Sequence, residues 1–174
     1  MAGIALWLAF GIFGIQTLFV DDEVDEAAPV FTSESEPAAE VAMPAEVDFE
    51  APMPVPAPEV VTVAEGRFVD RSHPTSGRAV VLNDGTEQRF LRFEDFETDN
   101  GPDLNVYLTR SGADADASEF GAAGDFVDLG DLKGNVGPQN YEIPADVDLE
   151  EFDTVVIWCV RFGVAFGAVD LMAT

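Results

Sequence analysis

From residue 62 to residue 171 the chain reads as eight short runs of β-type residues, each closed by a turn signal and none carrying a helical stripe. The runs are 62–69, 78–82, 87–93, 104–109, 126–129, 139–143, 154–162 and 164–171. Between them stand His73-Pro74-Thr75-Ser76-Gly77, Asn83-Asp84-Gly85, Asn100-Gly101-Pro102 and Gly134-Asn135. Asp84-Gly85 between two runs is the strongest hairpin signal, because tight hairpins favour positive φ. Strands this short bury their apolar faces only against one another. The expectation for residues 62–174 is therefore an all-β sandwich or barrel of seven to eight short strands.

The segment before this domain is of a different kind. Residues 2–20 read AGIALWLAFGIFGIQTLFV and show no polar face. Nineteen residues at ~1.5 Å each span about 28 Å, close to the ~30 Å of a bilayer's hydrocarbon core. Residues 1–20 are thus expected to be a transmembrane anchor. The rival, a cleaved signal peptide, normally carries a basic start and a small-x-small cleavage site, and neither is clear here. No Lys or Arg precedes the segment to orient it. The long acidic region that follows favours a single-pass cell-membrane protein with its folded domain extracytoplasmic. Residues 21–61 hold seven of the eleven prolines, and no glycine lies within them. Such a composition reads as a disordered acidic stalk, reaching on the order of 100 Å if fully extended.

Charge narrows the partners. Against 34 Asp and Glu stand 8 Lys and Arg, a formal net charge of -26, and residues 1–65 contribute 13 acidic and no basic side chains. Nucleic acid is excluded as a partner, since phosphate binding needs basic side chains to release counterions. Anionic lipid surfaces are disfavoured for the same reason. A solvated surface accounts for the acidity, and adaptation to salt is the sharper alternative, in keeping with a lone Lys133 against seven Arg.

The chain has a single cysteine, Cys159, so no internal disulfide can form. In the run 154–162, period two places Val156, Trp158, Val160 and Phe162 on one apolar face, which is expected to pack on the core. Val155, Ile157, Cys159 and Arg161 fall on the other. On that reading Cys159 points away from the main core, and the Arg161 guanidinium would lower its thiol pKa. The alternative is a buried, inert thiol. The only histidine, His73, sits in a Pro/Gly turn. It could pair with Cys159, join it in holding a metal or haem, or simply hydrogen-bond its own loop. No C-x-x-C-H, C-x-x-C or H-E-x-x-H occurs, which excludes a c-type covalent haem. The stretch from Asp95 places its glycine one position late for an EF-hand and has Val106 where the closing Glu belongs. Asp95, Asp99 and Asp103 remain as a looser calcium alternative.

One set of short motifs resembles a known family. It begins with Gly66-x-Phe68, His73-x-x-Ser76-Gly77, Asp95-Phe96 and Asn100-Gly101-Pro102-Asp103-Leu104-x-Val106-Tyr107-Leu108. It continues with Asp128-Leu129-Gly130-x-Leu132-Lys133-Gly134-Asn135-x-Gly137, Tyr141-x-Ile143-Pro144 and Val156-Ile157-Trp158-Cys159-x-x-Phe162. In order and spacing, from residue 62 to the end, this resembles the electron-transfer DM-thirteen domain. The resemblance implies a β-rich extracellular module, in bacteria often alone behind an anchor, with a role in electron transfer or oxidative modification at the cell surface. It centres that role on Cys159, as a bare thiol or as a ligand to a prosthetic group such as haem, with a redox protein as partner. The other reading is a non-catalytic extracellular binding or adhesion domain with a structural cysteine.

Overall fold

A computed structural model describes residues 21–31, 59–120 and 125–174. Among them are ten strands: β1 (Val61–Arg67), β2 (Val69–Asp70), β3 (Thr75–Asn83), β4 (Arg89–Thr98), β5 (Leu104–Thr109), β6 (Phe126–Asp131), β7 (Gln139–Ile143), β8 (Thr154–Cys159), β9 (Val164–Asp170) and β10 (Met172–Ala173). One short helix, α1 (Ala117–Phe120), lies between β5 and β6. The strands form two five-stranded antiparallel sheets, ordered β10-β1-β3-β4-β7 and β2-β9-β8-β5-β6. The all-β expectation holds, and between sandwich and barrel the two facing sheets decide for the sandwich.

Period two explains most of the packing. Ala79, Val81, Leu91 and Phe93 from the first sheet meet Val106, Leu108, Val155, Ile157 and Val169 from the second in one main core. Phe68, buried between β1 and β2, carries the chain from one sheet to the other. The second sheet is also covered on its outer side. There Val156 and Trp158 pack with Tyr107, Ala113, Phe120, Ala165 and Ala168 in a separate cluster. Every residue of β8 is therefore buried, as befits a strand flanked by β5 and β9 with hydrocarbon on both faces.

That double coverage corrects the assignment of faces. Val155, Ile157 and Cys159 fill the main core, whereas Val156 and Trp158 face outward under a roof formed by the chain around α1. The strand also ends three residues before the expected Phe162, so Val160 and Phe162 leave the sheet altogether.

The apolar segment 2–20 and most of the expected stalk lie outside the described residues. Among the described residues no helix is long and apolar enough to cross a membrane. Where the expected stalk is described, at 21–31, it is extended but not free. Val24 N–H donates to the Val136 carbonyl (2.9 Å), Glu26 N–H to the Pro138 carbonyl (3.0 Å), and Val136 N–H to the Asp22 carbonyl (3.4 Å). Glu23 and Val136 form a parallel bridge, and Val136 in turn bridges Glu97 of β4. The segment runs parallel to residues 136–138, which lead into β7 at the edge of the first sheet. The sequence-based expectation missed it because the proline-rich composition of 32–58 dominated the whole region.

Candidate functional site

Several of the motif segments meet at one pole of the sandwich. Strand register puts Leu104, Cys159 and Val164 side by side at the ends of β5, β8 and β9. Beyond Cys159, residues 160–163 make an exposed turn. Gly163 takes φ +64°, and its N–H donates to the Cys159 carbonyl (2.8 Å), while Val160 N–H donates to the Asp103 carbonyl (2.9 Å). Val160 is 48% exposed and Phe162 65%.

Cys159 itself is 0% exposed and belongs to the main core. The expectation that it points away from that core is overturned, because both faces of β8 are apolar and alternation alone could not say which was inside. Arg161 also departs from its expected place. The chain leaves the strand after Cys159, so period two no longer holds, and Arg161 stands exposed on the turn.

His73 lies at the same pole. Its N–H donates to the Phe166 carbonyl (3.2 Å), and its ring stacks on the Phe166 ring at 3.7 Å between centroids. Nδ1 lies 2.9 Å from Asp99 Oδ2. A carboxylate oxygen accepts, so Nδ1 carries the hydrogen between them. Thr75 and Thr98 fix the base of this turn: their hydroxyls lie 2.9 Å apart, and Thr98 Oγ1 donates to the Pro74 carbonyl (3.1 Å). No hydrogen bond or ion pair joins His73 to Cys159 among the described residues. What they share is Phe166, which stacks on the imidazole and belongs with Cys159 to the main core.

These positions test the cofactors. A haem ligated by Cys159 needs an open direction at the sulfur and a slot for a planar macrocycle beside it. Here the sulfur is enclosed in a packed hydrocarbon core, and His73 lies flat on Phe166 with Nδ1 on Asp99. The pair does not fit a haem held from this sulfur. For cations, no group of three or more His, Cys, Asp or Glu among the described residues could hold a metal. The looser calcium set is not brought together: Asp99 is taken by His73, and Asp95 sits at φ +49° in the bulge facing Gly77.

A polar cleft of about 240 Å³ opens beside the sulfur pole, lined by Asp22, residues 100–104 and residues 131–135. It joins two of the quoted motifs, Asn100-Gly101-Pro102-Asp103 and Lys133-Gly134-Asn135. Over residues 67–171, more than half of its length, the sequence matches the family described as Electron transfer DM13. The chain belongs to this electron-transfer family. No curated protein and no solved structure matches it.

Within this DM13 domain the motifs around His73, Asn100, Asn135 and Cys159 meet at one pole, while Tyr141-x-Ile143-Pro144 runs toward the opposite hairpin, where Ile143 pairs with Arg89. Gly101 lies so close to Leu104 and Phe166 that a Cβ there would meet both side chains at 2.8–2.9 Å. Tyr141 is buried below Lys133; its hydroxyl donates to Gln139 Oε1 (2.7 Å) and accepts from Lys133 N–H (3.1 Å). Burial pushes its phenol pKa well up, so it remains a neutral structural hydroxyl. Sequence reasoning named His73 and Cys159 as candidates but did not place Asp99 and Phe166 beside His73. Asp99 was weighed only as a cation ligand, and Phe166 looked like any core phenylalanine of an apolar strand.

Proposed function

We propose that this DM13 domain is a redox module held at the outer face of a membrane by residues 2–20, and that electrons pass through its Cys159–His73 pole. Family membership supports the redox class. The observation that carries the choice of pole is that the chain's lone thiol lies one residue inside an exposed turn and in the same core cluster as Phe166, on whose ring the lone histidine stacks. With one sulfur, two-electron chemistry must take its second sulfur from a partner. Cys159 as thiolate attacks a partner's disulfide, one S–S bond breaks as another forms, and the departing thiolate takes up the proton that Cys159 lost. Because the sulfur is enclosed, exchange requires the 160–163 turn to open first. The Gly163-to-Cys159 and Val160-to-Asp103 backbone hydrogen bonds hold that turn, so its opening is local and does not unfold the sandwich.

The 0% exposure of Cys159 favours a second reading, a non-redox binding domain with a structural thiol. Thiol labelling of the full chain separates the two. Slow native labelling that accelerates at least ~10-fold in Gly163→Val, where φ +64° strains any side chain, supports gated exchange. A native rate that tracks global unfolding alone, unmoved by Gly163→Val while the strands stay folded, sinks it. Cys159→Ala supplies the blank.

A further inference from the structure

The groove that receives residues 21–31 is made for a passing backbone. A Cβ on Gly134 would overlap the Asp22 carbonyl, and one on Gly137 the Val24 carbonyl. Both glycines belong to the Lys133-Gly134-Asn135-x-Gly137 motif inside the matched domain, yet the chain they admit lies outside it. Polar groups then fix the register. Asp22 N–H donates to Asn135 Oδ1 (2.6 Å), and Asn135 Nδ2 donates to Asp21 Oδ1 (2.9 Å) and to the Thr98 carbonyl (2.8 Å). The Glu26 carboxylate accepts from Lys133 Nζ (2.8 Å) and from the Asn140 N–H (2.7 Å), which would otherwise face outward from the β7 edge. Arg92 donates to the Glu26 and Ala27 carbonyls, both at 3.1 Å. At the far end the Phe31 ring meets Phe90 edge to face at 5.1 Å.

The direction of this strand decides more than its presence. It runs from Asn135 and Thr98 toward Phe90, so its first residue lies at the pole of the sulfur. Asn100 Nδ2 donates to Asp22 Oδ2 (3.2 Å), and Asp22 lines the same cleft as residues 100–104, the loop that receives Val160 N–H. Residue 21 therefore stands at that pole, where Val160 and Phe162 are exposed.

We infer that residues 21–31 are a clasp strand belonging to the folded domain, and that the anchor they follow holds the Cys159–His73 pole, led by Val160 and Phe162, against the bilayer. The orientation rests on the membrane reading given above; the clasp does not. The domain then sits at the membrane surface instead of roughly 100 Å away on a stalk, and residues 32–58 connect the clasp to β1 without bearing on that distance. The acidic residues at this pole, Asp21, Asp22, Asp103 and Asp131, oppose an anionic lipid surface, which leaves a zwitterionic one as the surface to test.

The test uses the full chain in phosphatidylcholine nanodiscs. Hydrogen exchange at the amides of Val24 and residue 26 should be slowed at least ~10-fold relative to Glu26→Lys and relative to the residue-26 amide of Val24→Pro, both outside the matched domain. Equal exchange in all three, with the β-strands still protected, overturns the clasp. In a Cys159→Ala background, a fluorophore at Arg161→Cys should lose most of its emission to a headgroup quencher while one at Glu87→Cys, on the opposite hairpin, keeps it. Equal quenching of the two probes overturns the orientation. A chain that does not enter the discs overturns the anchor reading, and the exchange result then judges the clasp by itself.

Discussion

Val155 and Val156 are neighbours in β8, identical in side chain and equally inaccessible, yet they are buried by different kinds of structure. Val155 lies between two sheets, each fixed by its ladder of backbone bonds. Val156 lies under a roof of irregular chain around the four-residue helix α1. A cavity between two sheets cannot collapse, whereas a roof can settle. Burial alone therefore does not measure what a side chain contributes; the stiffness of what covers it matters equally.

Truncating each valine breaks or confirms that contrast. Val155→Ala should cost about 2–3 kcal/mol in denaturant unfolding and Val156→Ala about 1–2, the gap being the cavity term. Equal losses would mean that the roof is as rigid as the sheets. Cys159→Ser sharpens the comparison, since it places a hydroxyl in the stiff compartment. We expect about 1–2 kcal/mol of destabilisation, and clearly less for Cys159→Ala. If serine were the milder change, the sulfur would have to lie near water or a polar partner.

The smallest effect concerns the clasp, an edge held by polar contacts with no compartment around it. Burial raises the Glu26 carboxyl, but the Lys133 ammonium and the Asn140 donors outweigh it and hold it below its ordinary value near 4.5. A carboxylate lowered by folding contributes fully above its unfolded pKa and loses that contribution as pH falls through the folded one. Clasp protection in hydrogen exchange should therefore decline below about pH 4.5 while the sandwich is still folded, and Glu26→Gln should remove the pH dependence. Protection unchanged down to global unfolding would show that the backbone bonds suffice.

Much of the sandwich could be read from alternation and turns. The expected runs 104–109 and 139–143 coincide with β5 and β7, and Asn83-Asp84-Gly85 does turn β3 into β4. It does so through five residues, 84–88, in place of the four between the expected runs, with Asn83 Nδ2 donating to the Thr86 and Gln88 carbonyls. The face of Cys159 was illegible because period two fixes which residues share a side, not which side is inside, and β8 is apolar on both. Arg161 was misplaced because nothing in Val160-Arg161-Phe162 resembles a turn until Gly163. The clasp was illegible for another reason. In 21–26, Val24 and Glu26 alternate with Glu23 and Asp25, but a strand whose inward residues include a carboxylate is recognised only once its cation is placed opposite.

That cation is the chain's only lysine. Its Nζ also donates to the Asn140 carbonyl (2.7 Å), so closing the clasp occupies the one side-chain primary amine the protein has. An acylating or reductively alkylating reagent thus has a single side-chain target. Acylation at that position removes the cation opposite Glu26, and any enzyme that acetylates lysine could act on the clasp and nowhere else in the chain.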